Sequence, residues 1–366
     1  MTQRPVGRSG LSVRPFVLGG NVFGMTADRA ASFAILDRFV ERGGGMIDTA
    51  DVYSAWVPGH KGGESESMMG AWLKDSGARD QVLIATKVGM MPGGLKPDRI
   101  REAVKGSLDR LGVDTIDLYF AHKDDPDVPL DEVLGAFGEL VDAGTVRAIG
   151  ASNYSAERLA EALRVADARG LPRFTAMQPE LNLLDRDQYE GALQQLCIAE
   201  GLGVVTYFSL ASGYLSGKYR SADDLGKSPR GARAKAYLEG KGPAVLAAMD
   251  TIAAETHRIR SAAHAAVSAR PAPGERRAGP ARPRIGSAAF LVPSEHLFER
   301  LVEGARDTEG DFERGRIFAL FDRGDRLAGH ADALTQFGLR HFAREKAQGA
   351  DVVRERQPSH ASPGDS

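Results

Sequence analysis

The chain has 366 residues, of which 42% are hydrophobic and 26% are charged, as in an ordinary soluble globular protein. Its formal net charge of −2 gives no reason to expect nucleic acid or an anionic membrane as a partner. A single cysteine, Cys197, excludes an internal disulfide and fits a reducing cytosol. The sequence has no run near the ~20 apolar residues of a membrane span and no secretory signal, so we expect a cytoplasmic protein.

Short apolar runs alternate with amphipathic segments up to residue 210. The predicted strands are residues 16–20, 46–50, 82–89, 116–122, 146–152, 174–182 and 203–210. The helices predicted between them are residues 26–42, 64–74, 96–111, 130–143, 155–169 and 188–200. Near-continuous apolar strands that alternate with helices indicate a parallel sheet covered on both faces. Seven or eight such units, without a Gly-x-Gly-x-x-Gly turn after the first strand, favour a (β/α)8 TIM barrel over a doubly wound sheet.

Polar side chains end the predicted strands, where a barrel carries its active site. The stretch MIDTADVYS places Asp48 and Tyr53 after the second strand, and later strands end at Lys87 and His122. Because the active sites of such barrels lie at the carboxyl ends of the strands, we expect these four side chains to meet. Further polar side chains at strand ends are Ser152, Asn153, Gln178 and Tyr207.

A phenol, an amine, a carboxylate and an imidazole together suit proton transfer. A free phenol has a pKa near ~10 and is a poor acid at neutral pH, but a neighbouring ammonium such as Lys87 favours the phenolate of Tyr53. Asp48 would keep Lys87 charged, and His122 would orient a carbonyl oxygen or relay a proton. Taken singly, each residue also has an ordinary structural explanation, as a turn cap, a solvated lysine, a surface aromatic or a core histidine. Their combination favours the chemical explanation.

Several motifs together resemble the aldo-keto reductase superfamily: MIDTADVYS, ATKVG, IDLYFAHKDDP, GTVRAIGASN, QPELNLL, TYFSLASGYLSGKY and the opening VGRSGLSVRPFVLGGNVFG. The resemblance covers residues 6–256. It implies a (β/α)8 barrel that reduces aldehydes and ketones with NADPH, or catalyses the reverse reaction, on a small-molecule carbonyl substrate. It also implies a catalytic tetrad of Asp48, Tyr53, Lys87 and His122, with Tyr53 as the general acid/base.

The same resemblance implies a set of cofactor contacts. Ser152, Asn153 and Gln178 match positions that bind the nicotinamide carboxamide, a group that needs both a donor and an acceptor. Tyr207 matches the aromatic residue on which the nicotinamide ring stacks. Two structural alternatives stay open, since Ser152 and Asn153 would also cap a helix and Tyr207 would also pack within a barrel.

Further cofactor and substrate contacts follow from the resemblance and from the loops. Phe208 and Leu210 follow at the same strand end, and Lys218 matches a position beside the cofactor pyrophosphate. The basic stretch 226–242 either lies over the cofactor phosphates or begins a solvated helix. The other loop segments expected to select the substrate are residues 21–24, 56–57, 90–91 and 123–124.

The composition changes abruptly after Thr256. Residues 257–366 contain 17 arginines and one lysine, whereas residues 1–256 contain 19 arginines and 10 lysines. We therefore predict a barrel in residues 1–256, an Ala/Arg/Pro-rich linker in residues 257–286 and an atypical segment in residues 287–366. The family's seventh helix and 2′-phosphate motif are not recognisable there, so the last β/α unit is altered or missing. Residues 287–292 and 294–301 are candidates for a substitute strand and helix.

Three functions remain compatible with the sequence. The favoured one is an NADP(H)-dependent oxidoreductase. The second is a non-catalytic nucleotide-binding regulatory subunit of the same fold, which resembles channel β-subunits. The third is an inactive product of a frameshifted gene, because a change of reading frame explains the Arg-rich tail better than a divergent extension does. The natural substrate, the reaction direction and the oligomeric state stay open.

Overall fold

A parallel sheet of eight strands forms the centre of the computed structural model, which describes residues 3–256 and 290–291. The chain begins with a hairpin of β1 (Arg4–Pro5) and β2 (Ser12–Val13). The parallel strands are β3 (Val17–Gly19), β4 (Met46–Asp48), β5 (Leu83–Val88), β6 (Ile116–Ala121), β7 (Val146–Ser152), β8 (Ala176–Gln178), β9 (Gly203–Val205) and β10 (Phe290–Leu291). Each parallel strand pairs with the next one along the chain, which confirms the predicted order.

Six helices connect the successive strands from β3 to β9. They are α1 (Arg29–Glu41), α2 (Glu64–Ser76), α3 (Pro97–Leu111), α4 (Leu130–Asp142), α5 (Ala156–Arg169) and α6 (Ala192–Glu200). Two start where the side chain of Asp28 or Ser155 accepts a hydrogen bond from a free backbone N–H of the first turn. Two more helices follow β9, α7 (Gly231–Ala234) and α8 (Gly242–Thr256). Among the helices of residues 3–256, none is long and apolar enough to cross a membrane.

The inward-facing side chains show that the sheet curls into a barrel. One buried cluster contains Val17 of β3, Met46 of β4, Ala148 of β7 and Val205 of β9. In a flat sheet, six strand spacings would separate β3 from β9 by about 29 Å. A direct contact shows that the sheet wraps around this cluster, since Gln178 Nε2 at the end of β8 donates to Asp48 Oδ1 at the end of β4 at 3.1 Å, four strands away in the sheet order. This packing confirms the (β/α)8 barrel class.

The hairpin covers the amino-terminal end of the barrel. Val6, Leu11 and Val13 are buried in the same interior cluster as the strand residues. Gly7, at the hairpin turn, has φ +54° and lies directly against the backbone of β9, where an added Cβ would come within 2.2 Å of the Gly203 nitrogen. The barrel interior is therefore closed at this end, and side chains can reach a ligand only from the opposite, carboxyl-terminal end.

The regions after β8 depart most from the sequence expectation. The strand predicted over 203–210 ends at Val205. Tyr207 makes an isolated parallel bridge with Glu180, and Phe208 has φ +53°, a backbone conformation that a strand cannot contain. A helix that the sequence did not predict, α8, reaches Thr256, the last described residue of this region, with Leu246 and Met249 buried. A strand, β10, does occur within residues 287–292 and pairs in parallel with β9. The predicted linker 257–286, the helix 294–301 and the remaining tail lie outside the described residues.

The close contact at Gly7 gives a test of whether the hairpin closes the amino-terminal end of the barrel. We expect Gly7→Ala to lower the free energy of unfolding by about 1–3 kcal/mol more than Gly10→Ala, because the new methyl group overpacks the barrel floor. Gly10 is the matched control, since it also has a positive φ (+75°) but no atom within 4 Å of an added Cβ. Urea unfolding of the full chain measures both losses. Equal losses of unfolding free energy in the two variants would contradict the close packing of the hairpin against the barrel.

Candidate active site

Three neighbouring strands deliver the predicted tetrad to the carboxyl-terminal end of the barrel. Asp48 is the last residue of β4, Lys87 lies near the end of β5, and His122 follows β6. Tyr53 lies in the loop after β4, five residues beyond Asp48. Because β4, β5 and β6 are adjacent in the sheet, residues far apart in sequence reach one place.

The ammonium of Lys87 is the centre of this group. Its Nζ donates hydrogen bonds to Asp48 Oδ2 at 2.6 Å, to the Thr49 carbonyl at 2.7 Å and to the Tyr53 hydroxyl at 3.1 Å. The side chain of Lys87 is fully buried. Burial works against its charged form, but the charges and hydrogen bonds of Asp48 and Tyr53 outweigh burial and raise the pKa of Lys87 above its ordinary value. The structure therefore holds a charged ammonium against a phenol hydroxyl.

His122 lies beside Tyr53 as a neutral imidazole. The ring centroids of the two residues are 5.8 Å apart, and the rings are nearly perpendicular. Burial, and secondly the Lys87 charge, hold the pKa of His122 well below its ordinary value. Its backbone is fixed on both sides, since its N–H donates to the Val88 carbonyl and its own carbonyl accepts from Asn153 Nδ2, each at 2.8 Å. A neutral imidazole in this position can donate one hydrogen bond without adding charge.

Side chains from β7 and β8 connect to the same site. Ser152 Oγ donates to the backbone carbonyl of Gln178 at 2.8 Å, and the Gln178 amide nitrogen donates to Asp48 Oδ1 at 3.1 Å. Asn153 donates to Ser152 Oγ at 3.1 Å. The Tyr207 hydroxyl donates to Asn153 Oδ1 at 2.6 Å. The four residues predicted to contact a nicotinamide therefore lie beside the tetrad in one connected hydrogen-bond network.

Two of the residues predicted to contact the cofactor have an unusual backbone conformation. Asn153 has φ +55° and Phe208 has φ +53°, both in the left-handed region. Asparagine adopts this region with some ease, but for a bulky residue such as Phe it is a clear outlier. Such outliers concentrate at ligand sites, where the surrounding structure holds them. Their position at the ends of β7 and β9 marks the same end of the barrel as the tetrad does.

Three further predicted residues follow β9 and lie less directly at the site. The ring of Phe208 packs under the guanidinium of Arg233, with 4.2 Å between the guanidinium carbon and the ring centroid. Leu210 is buried in a separate cluster with Tyr214, formed by the segment after β9. The Lys218 ammonium lies 5.2 Å from the centroid of the Tyr219 ring. Their predicted contacts with a cofactor stay predictions.

The basic stretch 226–242 folds onto the carboxyl-terminal end of the barrel. Arg230 Nη2 donates to Asn21 Oδ1 at 2.7 Å, across a chain separation of 209 residues. The Tyr237 hydroxyl donates to Asp185 Oδ2 at 2.6 Å. The sequence marked this stretch only by its charge and left a solvated helix as an equal alternative. Long-range contacts to loops beyond β3 and β8 bring Arg230 and Arg233 toward the site, and no local pattern encodes them.

One exposed apolar side chain, Trp56, borders Tyr53, and another, Met90, follows the carboxyl end of β5. Trp56 packs edge-on against the Tyr53 ring, with centroids 5.8 Å apart, and is 55% exposed. Its indole N–H points to the Met25 sulfur at 3.2 Å. Met90, after β5, is 51% exposed. Large apolar residues that stay exposed beside a polar cluster are typical of a surface that contacts a ligand.

Known proteins with similar sequences carry related names. The chain is 39% identical over 174 residues to aldo-keto reductase str7 of Strobilurus tenacellus, which covers 46% of this chain and half of that protein. It is 34% identical over 226 residues to a probable voltage-gated potassium channel subunit beta of Oryza sativa subsp. japonica, covering 60% of this chain and 67% of that protein. It is 33% identical over 260 residues to protein tas of Escherichia coli K12, covering 64% and 74%.

A sequence model of the aldo/keto reductase family matches residues 15–268. The match begins in the loop between the hairpin and the first parallel strand and runs through all the strands that carry the site. It reaches past Thr256, where the resemblance in the sequence motifs ends. Since it spans more than two thirds of the 366 residues, the chain belongs to the aldo/keto reductase family.

Proposed function

We propose that this protein is an NADP(H)-dependent oxidoreductase that reduces aldehydes or ketones to alcohols, or catalyses the reverse, with Tyr53 as the general acid/base. The observation that carries the proposal is the 3.1 Å hydrogen bond from the buried Lys87 ammonium to the Tyr53 hydroxyl. A positive charge held in this position stabilises the phenolate and so makes the phenol a better acid. Asp48 keeps that charge in place.

The residues around Tyr53 suit the polarisation of a carbonyl group. A carbonyl oxygen near the Tyr53 hydroxyl would also lie beside the neutral imidazole of His122, 5.8 Å from the Tyr53 ring between centroids. A neutral donor strengthens as negative charge develops on that oxygen and does not compete with Lys87 for Asp48. Tyr53 would then supply the proton in reduction, and accept it in oxidation.

The set of side chains at β7 and β8 fits the amide of a nicotinamide. The Gln178 amide nitrogen already donates to Asp48, so its oxygen is the atom available to accept from a ligand. Asn153 and Tyr207 hold each other by one hydrogen bond, which a bound carboxamide would exchange for its own. When bound, the nicotinamide supplies the hydride. Ser152, Asn153 and Gln178 would hold its amide, and the flat ring of Tyr207 would pack against it, with Phe208 and Leu210 supporting this strand end.

The preference for NADP(H) over NAD(H) comes from the family resemblance, and the basic segment after β9 supplies candidate contacts for the cofactor phosphates. Arg230 is tied to Asn21, and Arg233 lies over the Phe208 ring, so both guanidinium groups belong to the same end of the barrel as the tetrad. Guanidinium groups bind phosphate through paired, charge-assisted hydrogen bonds. We assign the cofactor phosphates to Arg230, Arg233 and Lys218.

The exposed apolar side chains at the carboxyl-terminal end of the barrel favour a small carbonyl substrate with an apolar body. Trp56 and Met90 would contact this body, while its carbonyl reaches Tyr53 and His122. The near-zero net charge and the single cysteine support a cytoplasmic enzyme without nucleic-acid partners.

A second candidate function is nucleotide-dependent regulation without turnover. It is favoured by the 34% identity to a protein named as a probable potassium channel subunit beta. The intact group of Asp48, Lys87 and Tyr53 favours the enzyme, since a purely regulatory subunit has no need of a charged lysine against a phenol. NADPH binding without reduction of any aldehyde would favour regulation.

Replacing the phenol hydroxyl tests the proposed acid. We expect Tyr53→Phe to lower kcat/KM for NADPH-dependent reduction of 4-nitrobenzaldehyde by roughly 10²–10⁴-fold, because positioned acid catalysis contributes about that factor. The affinity for NADPH, followed by protein fluorescence, should change little. Tyr189→Phe, which removes the hydroxyl of a tyrosine buried in the outer core, is the matched control and should keep its activity. Equal rates for wild type and Tyr53→Phe would exclude Tyr53 as the acid.

Removing one guanidinium group tests the phosphate assignment. We expect Arg230→Ala to raise the Kd for NADPH by roughly 10–100-fold, because one charge-assisted hydrogen bond contributes about 1.5–3 kcal/mol. Arg101→Ala, which removes an exposed arginine that is paired with Glu139 on the outer helices, controls for the loss of positive charge. Fluorescence titration at fixed ionic strength measures both constants. An unchanged Kd in Arg230→Ala would overturn the assignment.

A further inference from the structure

The loop that carries Tyr53 is fastened on two sides of the barrel wall. On the inside, Lys87 Nζ contacts the Thr49 carbonyl and the Tyr53 hydroxyl. On the outside, the side chain of Asp51 pairs with Arg99 of α3 at 2.9 Å. Asp51 lies two residues before Tyr53, and its backbone N–H donates to the Lys87 carbonyl at 3.1 Å. The position of this one residue therefore affects both the lysine and the phenol.

The Asp51–Arg99 ion pair is largely buried, and few nearby groups could replace either partner. The side chain of Asp51 is 2% exposed and that of Arg99 is 20% exposed. Among the described residues, Arg99 is the only side chain that donates a hydrogen bond to Asp51. The nearby Glu66 of α2 is already engaged, since it accepts from Thr86 at 2.6 Å and from Arg110 at 2.7 Å. Removal of Arg99 would thus leave the buried Asp51 carboxylate without its ion-pair partner, whereas Arg99 has a second, longer ion pair with the exposed Glu102 at 3.8 Å.

Other charged and titratable groups face Asp51 from each element packed against it. Glu66 faces it from α2, Arg99 and Arg110 from α3, and the Tyr119 hydroxyl from β6. Burial, and secondly the Glu66 charge, raise the pKa of Asp51 to about 6, although the two arginines oppose this rise. The carboxylate is therefore charged and paired above about pH 6, and it becomes neutral as the pH falls below that value.

We propose that Asp51, through its ion pair with Arg99, is a positioning residue that holds the loop of Tyr53 so that the phenol stays against the Lys87 ammonium. The inference rests on the proposed function for its effect on turnover. When Asp51 is protonated or replaced, its ion pair with Arg99 is lost, and the loop keeps its other contacts, among them the hydrogen bond from the Gly63 N–H to the Tyr53 carbonyl at 2.8 Å and those from Lys87. Tyr53 then spends less time against Lys87, so its phenolate is less stabilised and proton transfer slows.

The pH dependence has a defined sign. Wild-type kcat should fall with decreasing pH around pH 6, as Asp51 takes up a proton and the pair is lost. Arg99→Met removes a cation that lowers the pKa of Asp51. The acid limb of the profile, meaning the fall of kcat with decreasing pH, should therefore move to higher pH. Arg99→Lys keeps a cation and should leave the limb near its wild-type position. A purely structural pair would affect stability without moving the limb.

The decisive experiment compares Asp51→Asn with Asp117→Asn in the full-length protein. Asp117 is a matched control, because it is also a buried carboxylate with arginine partners, Arg79 and Arg147, but lies at the opposite, amino-terminal end of β6. We expect Asp51→Asn to lower kcat for 4-nitrobenzaldehyde by roughly 10–100-fold, with little change in KM, and to abolish the acid limb near pH 6. Asp117→Asn should keep the wild-type limb and kcat.

A second measurement separates this inference from the proposed enzyme activity. Ultraviolet absorbance follows phenolate formation without any substrate, and subtraction of the curve of the same variant carrying Tyr53→Phe isolates Tyr53. The titration midpoint of Tyr53 should rise by on the order of one pH unit in Asp51→Asn and not in Asp117→Asn.

An unchanged midpoint in folded Asp51→Asn overturns the inference, even if the protein reduces aldehydes. Absence of activity in wild type with a shifted midpoint overturns only the proposed function. If Asp51→Asn does not fold, the Tyr53 titration midpoints of Arg99→Lys and Arg99→Met decide the question. The midpoint should shift in Arg99→Met and stay unchanged in Arg99→Lys.

Discussion

The buried ammonium of Lys87 is the constraint on which the rest of this structure depends. A fully buried charge is unfavourable unless it is paired and hydrogen-bonded, so each of its three contacts is a requirement of the fold as well as of the chemistry. Asp48 supplies the counter-charge, the Thr49 carbonyl a neutral acceptor, and Tyr53 the third partner. One of the hydrogen bonds that stabilise the buried lysine therefore also places the Tyr53 phenol next to a positive charge.

The barrel makes this arrangement possible by separating its two ends. The hairpin fills the amino-terminal end with Val6, Leu11 and Val13, so the polar groups concentrate at the other end without competing for the apolar interior. There, strand ends and the basic segment after β9 meet around one opening. Gln178 links Asp48 to β8, and Tyr207 links Asn153 to the segment after β9. Hydrogen bonds therefore connect the tetrad to the residues predicted to contact the cofactor.

Part of the fold and of the site was predictable because local patterns carry it. The strand containing Lys87 and the strand before His122 are uninterrupted apolar runs, and the helices after them have a clear apolar face. The truncated β9 was not predictable, because the run GVVTYFSL continues past Val205 without a Gly or Pro and gives no sign of the left-handed φ at Phe208. Helix α8 was missed, since its Ala-rich sequence shows no distinct apolar face. The pairing of Asp51 with Arg99 joins residues 48 positions apart and leaves no periodic signal.

The sequence by itself determined the alternation of strands and helices and the barrel class, and it predicted that Asp48, Tyr53, Lys87 and His122 meet at one end of the barrel. These follow from side-chain periodicity and from the rule that parallel strands place their ends at one edge. Only the tertiary structure decided that Lys87 is fully buried, that His122 is neutral, and that Arg230 reaches Asn21. The physical reason is that burial, charge state and long-range contacts depend on distances between elements. Such distances arise from packing, which no local pattern in the chain contains.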